Sequence, residues 1–277
     1  MIAALREMLG YTFLTRALIV GSLVSLCAAL LGVSLVLRRY SMIGDGLSHV
    51  GFGALAVASA LNMAPLAVAI PVVIVAAFFL LRLGESSDLR GDGAVALMSM
   101  GSLSLGVLVV SIGGGNTDLN SYLFGSILAM SQTDLIFGLV LSVFVLCLFV
   151  LFFNRIFAVT FDEKFSRATG VNAGFLNTVV ALLTALTIVL GMRLMGALLI
   201  SSLVVFPALT SMRLCKSFRA VVICSAVVSL LCFFAGITVS FRYGAPTGAS
   251  IVAANVIAFA VFGVLGGARH QLTSRRA

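Results

Sequence analysis

The chain has 277 residues, of which 61% are hydrophobic and 9% charged, with a formal net charge of +8. That is too little polar surface to cover a water-soluble globule, so most of the chain must face lipid. The loops are too short for a separate soluble domain, and the positive charge is concentrated between apolar runs rather than in a nucleic-acid-binding patch.

The recurring apolar runs are about 20 residues long, the helical rather than the barrel pattern. Residues 1–15, with Arg6 and Glu7, lack the apolar core and small-residue cleavage site of a signal peptide and read as an interfacial segment. Nine spans follow, at 16–37, 41–60, 65–82, 93–112, 134–153, 173–191, 195–212, 220–240 and 247–267, with a tail at 268–277. The expected fold is an all-α polytopic membrane protein of eight or nine transmembrane helices, forming one membrane-embedded domain over 1–277.

Alternate connections carry most of the basic residues. Arg38, Arg39, Arg82, Arg90, Arg155, Lys164, Arg167, Arg213, Lys216, Arg219, Arg269, Arg275 and Arg276 fall on one side. Only Arg6, Arg16, Arg193 and Arg242 fall on the other. The positive-inside rule makes the first side, and the C-terminus, cytoplasmic. Span 41–60 is the least apolar, yet without it the loop from Arg82 to Arg90 would change sides.

That weak span holds the most informative residues. Asp45 and His49 lie four residues apart among Ile43, Gly44, Gly46, Leu47, Ser48, Val50 and Gly51. Spacing i, i+4 puts both on one helical face. A charge at the bilayer centre costs at least ~2.5–3.5 kcal/mol, so an intramembrane Asp marks a functional site by default. One carboxylate and one imidazole make half of a divalent-metal site. The bland reading makes Asp45 the N-cap of its helix and His49 interfacial decoration.

Farther along, the stretch from Arg82 to Gly93 reads as a cytoplasmic loop, with Asp92 capping the next span. Gly113 to Asp118 reads as an outer loop, and 120–128 as a re-entrant or interfacial piece too short to cross. Phe161 to Gly170 has the length of a short cytoplasmic helix. Asp162 can cap it, Phe165 and Ala168 share a face, and Gly170 stops it. Pro207 should kink the seventh span. Tyr243 to Gly248 is an outer turn. The five cysteines show no metal-ligand spacing and read as small buried hydrophobes.

The segment Ser41-Met42-Ile43-Gly44-Asp45-Gly46-Leu47-Ser48-His49 resembles a motif of the permease family of bacterial ABC importers for zinc, manganese and iron. Ser104 to Ser111 and Tyr122-Leu123-Phe124-Gly125 look like that family's central segments. Phe161 to Gly170 is similar to its coupling helix, Met195 through Pro207 to its late G-[AV]-L-L-[IV]…P signature, and Ala245 to Ala249 to its P-[ST]-G turn.

The resemblance implies a permease in the bacterial cytoplasmic membrane, working as a homodimer or close-paired heterodimer. Two cytoplasmic ATP-binding-cassette subunits would power it, and an extracytoplasmic metal-binding protein would feed it. It carries metal contact over to Asp45 and His49. It carries ATPase docking over to Asp162, Glu163, Lys164, Phe165, Arg167 and Gly170. The cargo would be Zn²⁺, with Mn²⁺ or Fe²⁺ as alternatives, and no covalently bound cofactor is implied. The stretch from Thr184 leans toward zinc importers.

Two copies about a two-fold axis would bring two carboxylates and two imidazoles together, a donor set that suits tetrahedral Zn²⁺. The carboxylates would offset the cost of the dication in a low-dielectric bundle.

Two other function classes compete. A stand-alone secondary metal or proton carrier could use Asp45 and His49 as a relay, but the second half has no counterpart of the pair. An intramembrane metalloprotease would need H-E-x-x-H, which does not occur. No G-x-x-x-x-G-K-[ST] loop occurs either, so ATP hydrolysis would fall to another chain.

Overall fold

The structure, a computed structural model, describes residues 10–86, 91–112 and 132–274, all of whose regular elements are helices. In chain order they are α1 (Thr12–Leu37), α2 (Ile43–Ala60), α3 (Pro65–Ser86), α4 (Gly91–Ile112), α5 (Gln132–Leu151), α6 (Phe153–Phe161), α7 (Glu163–Ala168), α8 (Ala173–Met195), α9 (Ala197–Met212), α10 (Phe218–Tyr243) and α11 (Thr247–Ser274).

Every expected apolar run falls on a helix. Among the described residues, however, only five helices (α1, α4, α8, α10 and α11) are long and apolar enough to cross a membrane alone. Counting α5 and α6 as one bent span makes six. The helix at 43–60 carries Asp45 and His49, and α9, with 16 residues, is short.

Several local expectations change. α3 runs through Ser86 and α4 starts at Gly91, so Asp92 lies inside the first turn instead of preceding it as a cap; residues 87–90 lie outside the described set. The outer loop at 113–118 and the re-entrant piece at 120–128 also lie outside it. The fifth span ends at Leu151, and α6 leaves it at 67°. α8 and α9 are separated by Gly196 alone, where a short outer loop was expected. Gly196 has φ +92, a backbone setting that a side chain would strain. α9 runs on unbroken through Pro207. Of the cysteines, Cys27 and Cys232 are buried, whereas Cys147 is exposed.

The packing centres on α1 and α8. α1 touches α5, α8, α9 and α10, while α8 bridges α2, α3, α5 and α9. Apolar side chains gain little by leaving lipid, so association here depends on close contact and interhelical hydrogen bonds. Glycines supply the close contact. A Cβ on Gly32 of α1 would sit 1.9 Å from the Val204 carbonyl oxygen of α9, and one on Gly53 of α2 would sit 2.6 Å from the Ser102 carbonyl oxygen of α4. Serines supply the polar contact. The Ser25 and Ser229 hydroxyls lie 2.6 Å apart, and Ser225 donates to the Ala29 carbonyl at 3.3 Å, tying α1 to α10. Such bonds contribute about 0.6 kcal/mol each on average.

Two helices stay peripheral. In the most apolar windows of α4 and α11 only 17% of residues are buried, against 78% in α8. α4 packs mainly against α2 and, less closely, α3, and it leaves Leu97, Leu105 and Leu108 exposed.

Candidate metal site and cytoplasmic docking element

α2 begins after a five-residue turn, 38–42, in which Arg39 adopts φ +63. Arg38, at the end of α1, donates to Asn177 Oδ1 of α8 at 2.7 Å, and the Tyr40 amide donates to the Leu35 carbonyl at 2.8 Å. These contacts fix where α2 enters the bundle. Met42 holds the N-cap position and no side chain caps the helix. Asp45 lies in the first turn with its carboxylate unused for capping, so the N-cap role of the bland reading does not hold.

The pair shares one face as the spacing predicts. His49 Nε2 lies 3.7 Å from Asp45 Oδ2. That is too long for a direct hydrogen bond. Two donors on one tetrahedral Zn²⁺, each about 2.0–2.2 Å from it, would lie about 3.4 Å apart, so a small side-chain adjustment lets both reach one ion. The His49 side chain is 15% exposed and that of Asp45 40%. His49 Nδ1 is buried without a hydrogen-bond partner. The pair thus combines a sheltered imidazole with a carboxylate open to the surroundings.

Neighbouring helices set this face. Gly44 of α2 approaches Val204 of α9, Gly51 approaches Met192 of α8, and Gly53 approaches Ser102 of α4. Ser48 lies between the two site residues in sequence. Its hydroxyl donates to the Asp45 carbonyl at 2.7 Å and sits 3.3 Å from the Ser201 hydroxyl of α9. Sequence reading passed over Ser201 and Asn177. A lone serine or asparagine in an apolar run carries no signal until a second helix is placed beside it.

Among the described residues no three His, Cys, Asp or Glu side chains gather around one point. One chain therefore offers two donors for a dication, not four.

The element over 161–170 matches its sequence signals closely. Asp162 caps α7, accepting from the Phe165 amide at 2.9 Å. Glu163 pairs with Arg167 across one turn, an exposed contact that contributes only about 0.3–0.5 kcal/mol. Gly170 ends the element at φ +85. Ser166 alone on α7 is buried; Lys164 and Ala168 are exposed, and so is Phe165, at 65%. A capped helix presenting a bare phenyl ring and mixed charges has the make-up of a docking knob.

Asp162→Ala should cost α7 about 0.5–2 kcal/mol. Amide exchange across 163–169 should rise while exchange in α8 stays unchanged. Equal protection in the variant would mean that the cap is dispensable.

The model of the ABC 3 transport family matches residues 10–265. The chain belongs to the ABC 3 transport family. Relatives within reach of this ABC 3 family chain include the high-affinity zinc uptake system membrane protein ZnuB of Haemophilus influenzae. It is 30% identical over 250 residues, covering 90% of this chain and 96% of that protein. The manganese transport system membrane protein MntC of Halalkalibacterium halodurans is 28% identical, covering 92% and 89%. Among solved structures, a chain of PsaBC from Streptococcus pneumoniae in complex with Fab superposes with a TM-score of 0.84. It is 27% identical, with 95% of each chain covered. The family membership makes this a multi-pass membrane permease, with ATP hydrolysis on a separate subunit.

Proposed function

We propose that this chain is the membrane permease of an ATP-binding-cassette importer for divalent transition metals, with Asp45 and His49 as the cargo contacts. The observation that carries the reading is the pair itself, a sheltered imidazole 3.7 Å from a half-exposed carboxylate on a helix otherwise built of small and apolar residues. Zinc is the first cargo to test, manganese the second and iron the third; relatives named for zinc and for manganese both lie near this chain.

A second copy, most simply an identical one, would complete the site. Two donors per chain become four across a two-fold axis, the number that Zn²⁺ prefers. α7 would dock on the ATPase through Phe165 and the charges of Glu163, Lys164 and Arg167, on a frame set by Asp162 and Gly170. In the bacterial cytoplasmic membrane the C-terminus would lie inside, and eight or nine helices would cross or enter the bilayer. Two of these (α2 and α9) would be too polar or too short to do so outside the bundle. An extracytoplasmic metal-binding protein would deliver the ion. The chain needs no resident cofactor, because the metal is the substrate.

The ligand types suit release as well as capture. Carboxylate and imidazole hold Zn²⁺ less tenaciously than four thiolates, and a site shared between subunits comes apart when they move.

Labelled zinc uptake tests the reading in cells that lack their own importer and express this chain with its ATPase and binding protein. Accumulation should require an ATPase whose phosphate-binding lysine is intact. Uptake that survives loss of that lysine would instead identify a stand-alone carrier. A tenfold excess of unlabelled manganese should leave most of the zinc signal if zinc is the cargo. Its collapse would assign manganese.

A further inference from the structure

A string of phenyl rings runs from the membrane bundle to the docking element. Phe149 on α5 meets Phe153 on α6 edge-on, with centroids 6.1 Å apart, across the 67° bend. Phe153, Phe157 and Phe161 then repeat at i, i+4, i+8 along α6, and all three pack on one residue, Phe218, at 5.5, 5.0 and 6.1 Å. These separations fall where tilted and edge-on pairs attract, about 4.5–7 Å. Phe218 is 6% exposed and is the first residue of α10, fixed there by the Ser217 hydroxyl, which accepts from the Ala220 amide. Phe161 stands immediately before Asp162, the cap of α7.

The other face of α6 is held differently. Val159 joins Ala173 and Leu176 of α8 in a small buried cluster. A displacement of α7 therefore has two routes inward, one through aliphatic packing into α8 and one through the rings into α10. α10 in turn packs along α1, α9 and α11.

We infer that Phe218 is a positioning residue for transport. It is the clamp through which α6 passes movement of the docking element to α10, so that ATP-driven motion reaches the bundle. The inference rests on the importer reading for its source of motion. The ring geometry stands without it.

The test uses the complete complex of this chain, its ATPase and its binding protein, reconstituted in liposomes. Phe218→Ala should co-purify with the ATPase at the wild-type ratio and keep its basal ATP hydrolysis. Metal accumulated per ATP should fall about fivefold. Phe218→Tyr, which keeps the ring, should restore most of that ratio. Phe157→Leu, at a 40% exposed position where folding is not at stake, should lower it in the same direction. A ratio unchanged in both Phe218→Ala and Phe157→Leu would overturn the clamp, and so would hydrolysis and uptake falling in strict proportion.

A second readout is independent of metal. Spin labels at exposed Thr169 and Ile223 should report one narrow distance with and without a non-hydrolysed ATP analogue in wild type, and a broadened one in Phe218→Ala. Identical distributions would sink the inference. Absence of metal uptake in the wild type would sink the importer reading instead, leaving the distance measurement to decide the clamp.

Discussion

His49→Ala and Asp45→Asn are each expected to abolish metal uptake at unchanged membrane levels. Losing a residue that merely supports a metal ligand costs about 10–100-fold in affinity or activity, and these two are the proposed ligands themselves. The proposed dimer amplifies the loss, because one substitution removes two of four donors. The double variant should be no worse than the worse single one, since a site missing half its donors has little left to lose. Labelled zinc uptake per unit of membrane-inserted protein measures this. If both single variants transport at the wild-type rate, the pair is structural and the pathway runs elsewhere.

Gly32→Ala is the second substitution with a large expected effect, and it acts on the fold. The new Cβ would lie 1.9 Å from the Val204 carbonyl oxygen and 2.8 Å from its carbon. These are backbone atoms in the middle of α9, so no side chain can rotate away. α1 and α9 would have to separate, and inserting even one methyl group into packed protein commonly costs about 1–3 kcal/mol. The strain would not stay local. Val204 also abuts Gly44, one residue before Asp45. The variant should therefore lose thermal stability in detergent and, where it survives, lose uptake as well. A control lies on α4, where a Cβ on Gly101 would meet nothing within 4 Å. Gly101→Ala should leave the melting temperature of the chain essentially unchanged. Equal destabilisation by both substitutions would mean that the α1–α9 contact is looser than described.

The sequence was most legible where one residue type has one physical use. Asp162 before a short polar segment and Gly170 after it marked both ends of α7, because a carboxylate that accepts a backbone amide and a backbone at positive φ leave few alternatives. The i, i+4 spacing of Asp45 and His49 gave their shared face for the same reason. Hydropathy was a coarser guide. It located the apolar runs but could not tell a helix that crosses alone from α2, which carries Asp45 and His49, or from α9, which has 16 residues. It could not register the bend at Phe152 either. A 67° turn exchanges hydrogen-bond partners without changing the composition. Asp92 misled because an acidic residue near a helix start fits the cap and the first turn equally well. The partners of the site, Ser201 and Asn177, lie 153 and 139 residues from the groups they meet. Long-range contacts of that kind leave no mark in a local window.

The sparsely packed helix α4 has a consequence for how this sequence can drift. At Ser102 and Gly106 it touches Gly53 of α2 backbone to backbone, so substitution there is limited by distances of tenths of an ångström. Its opposite side, with Leu97, Leu105 and Leu108, is left exposed by the described residues and is constrained by whatever covers it. Fluid lipid tails accept any apolar shape, whereas a packed protein surface accepts few. The tolerance of those three leucines to exchange for isoleucine, methionine or phenylalanine would therefore register which kind of neighbour the helix has, without that neighbour ever being isolated.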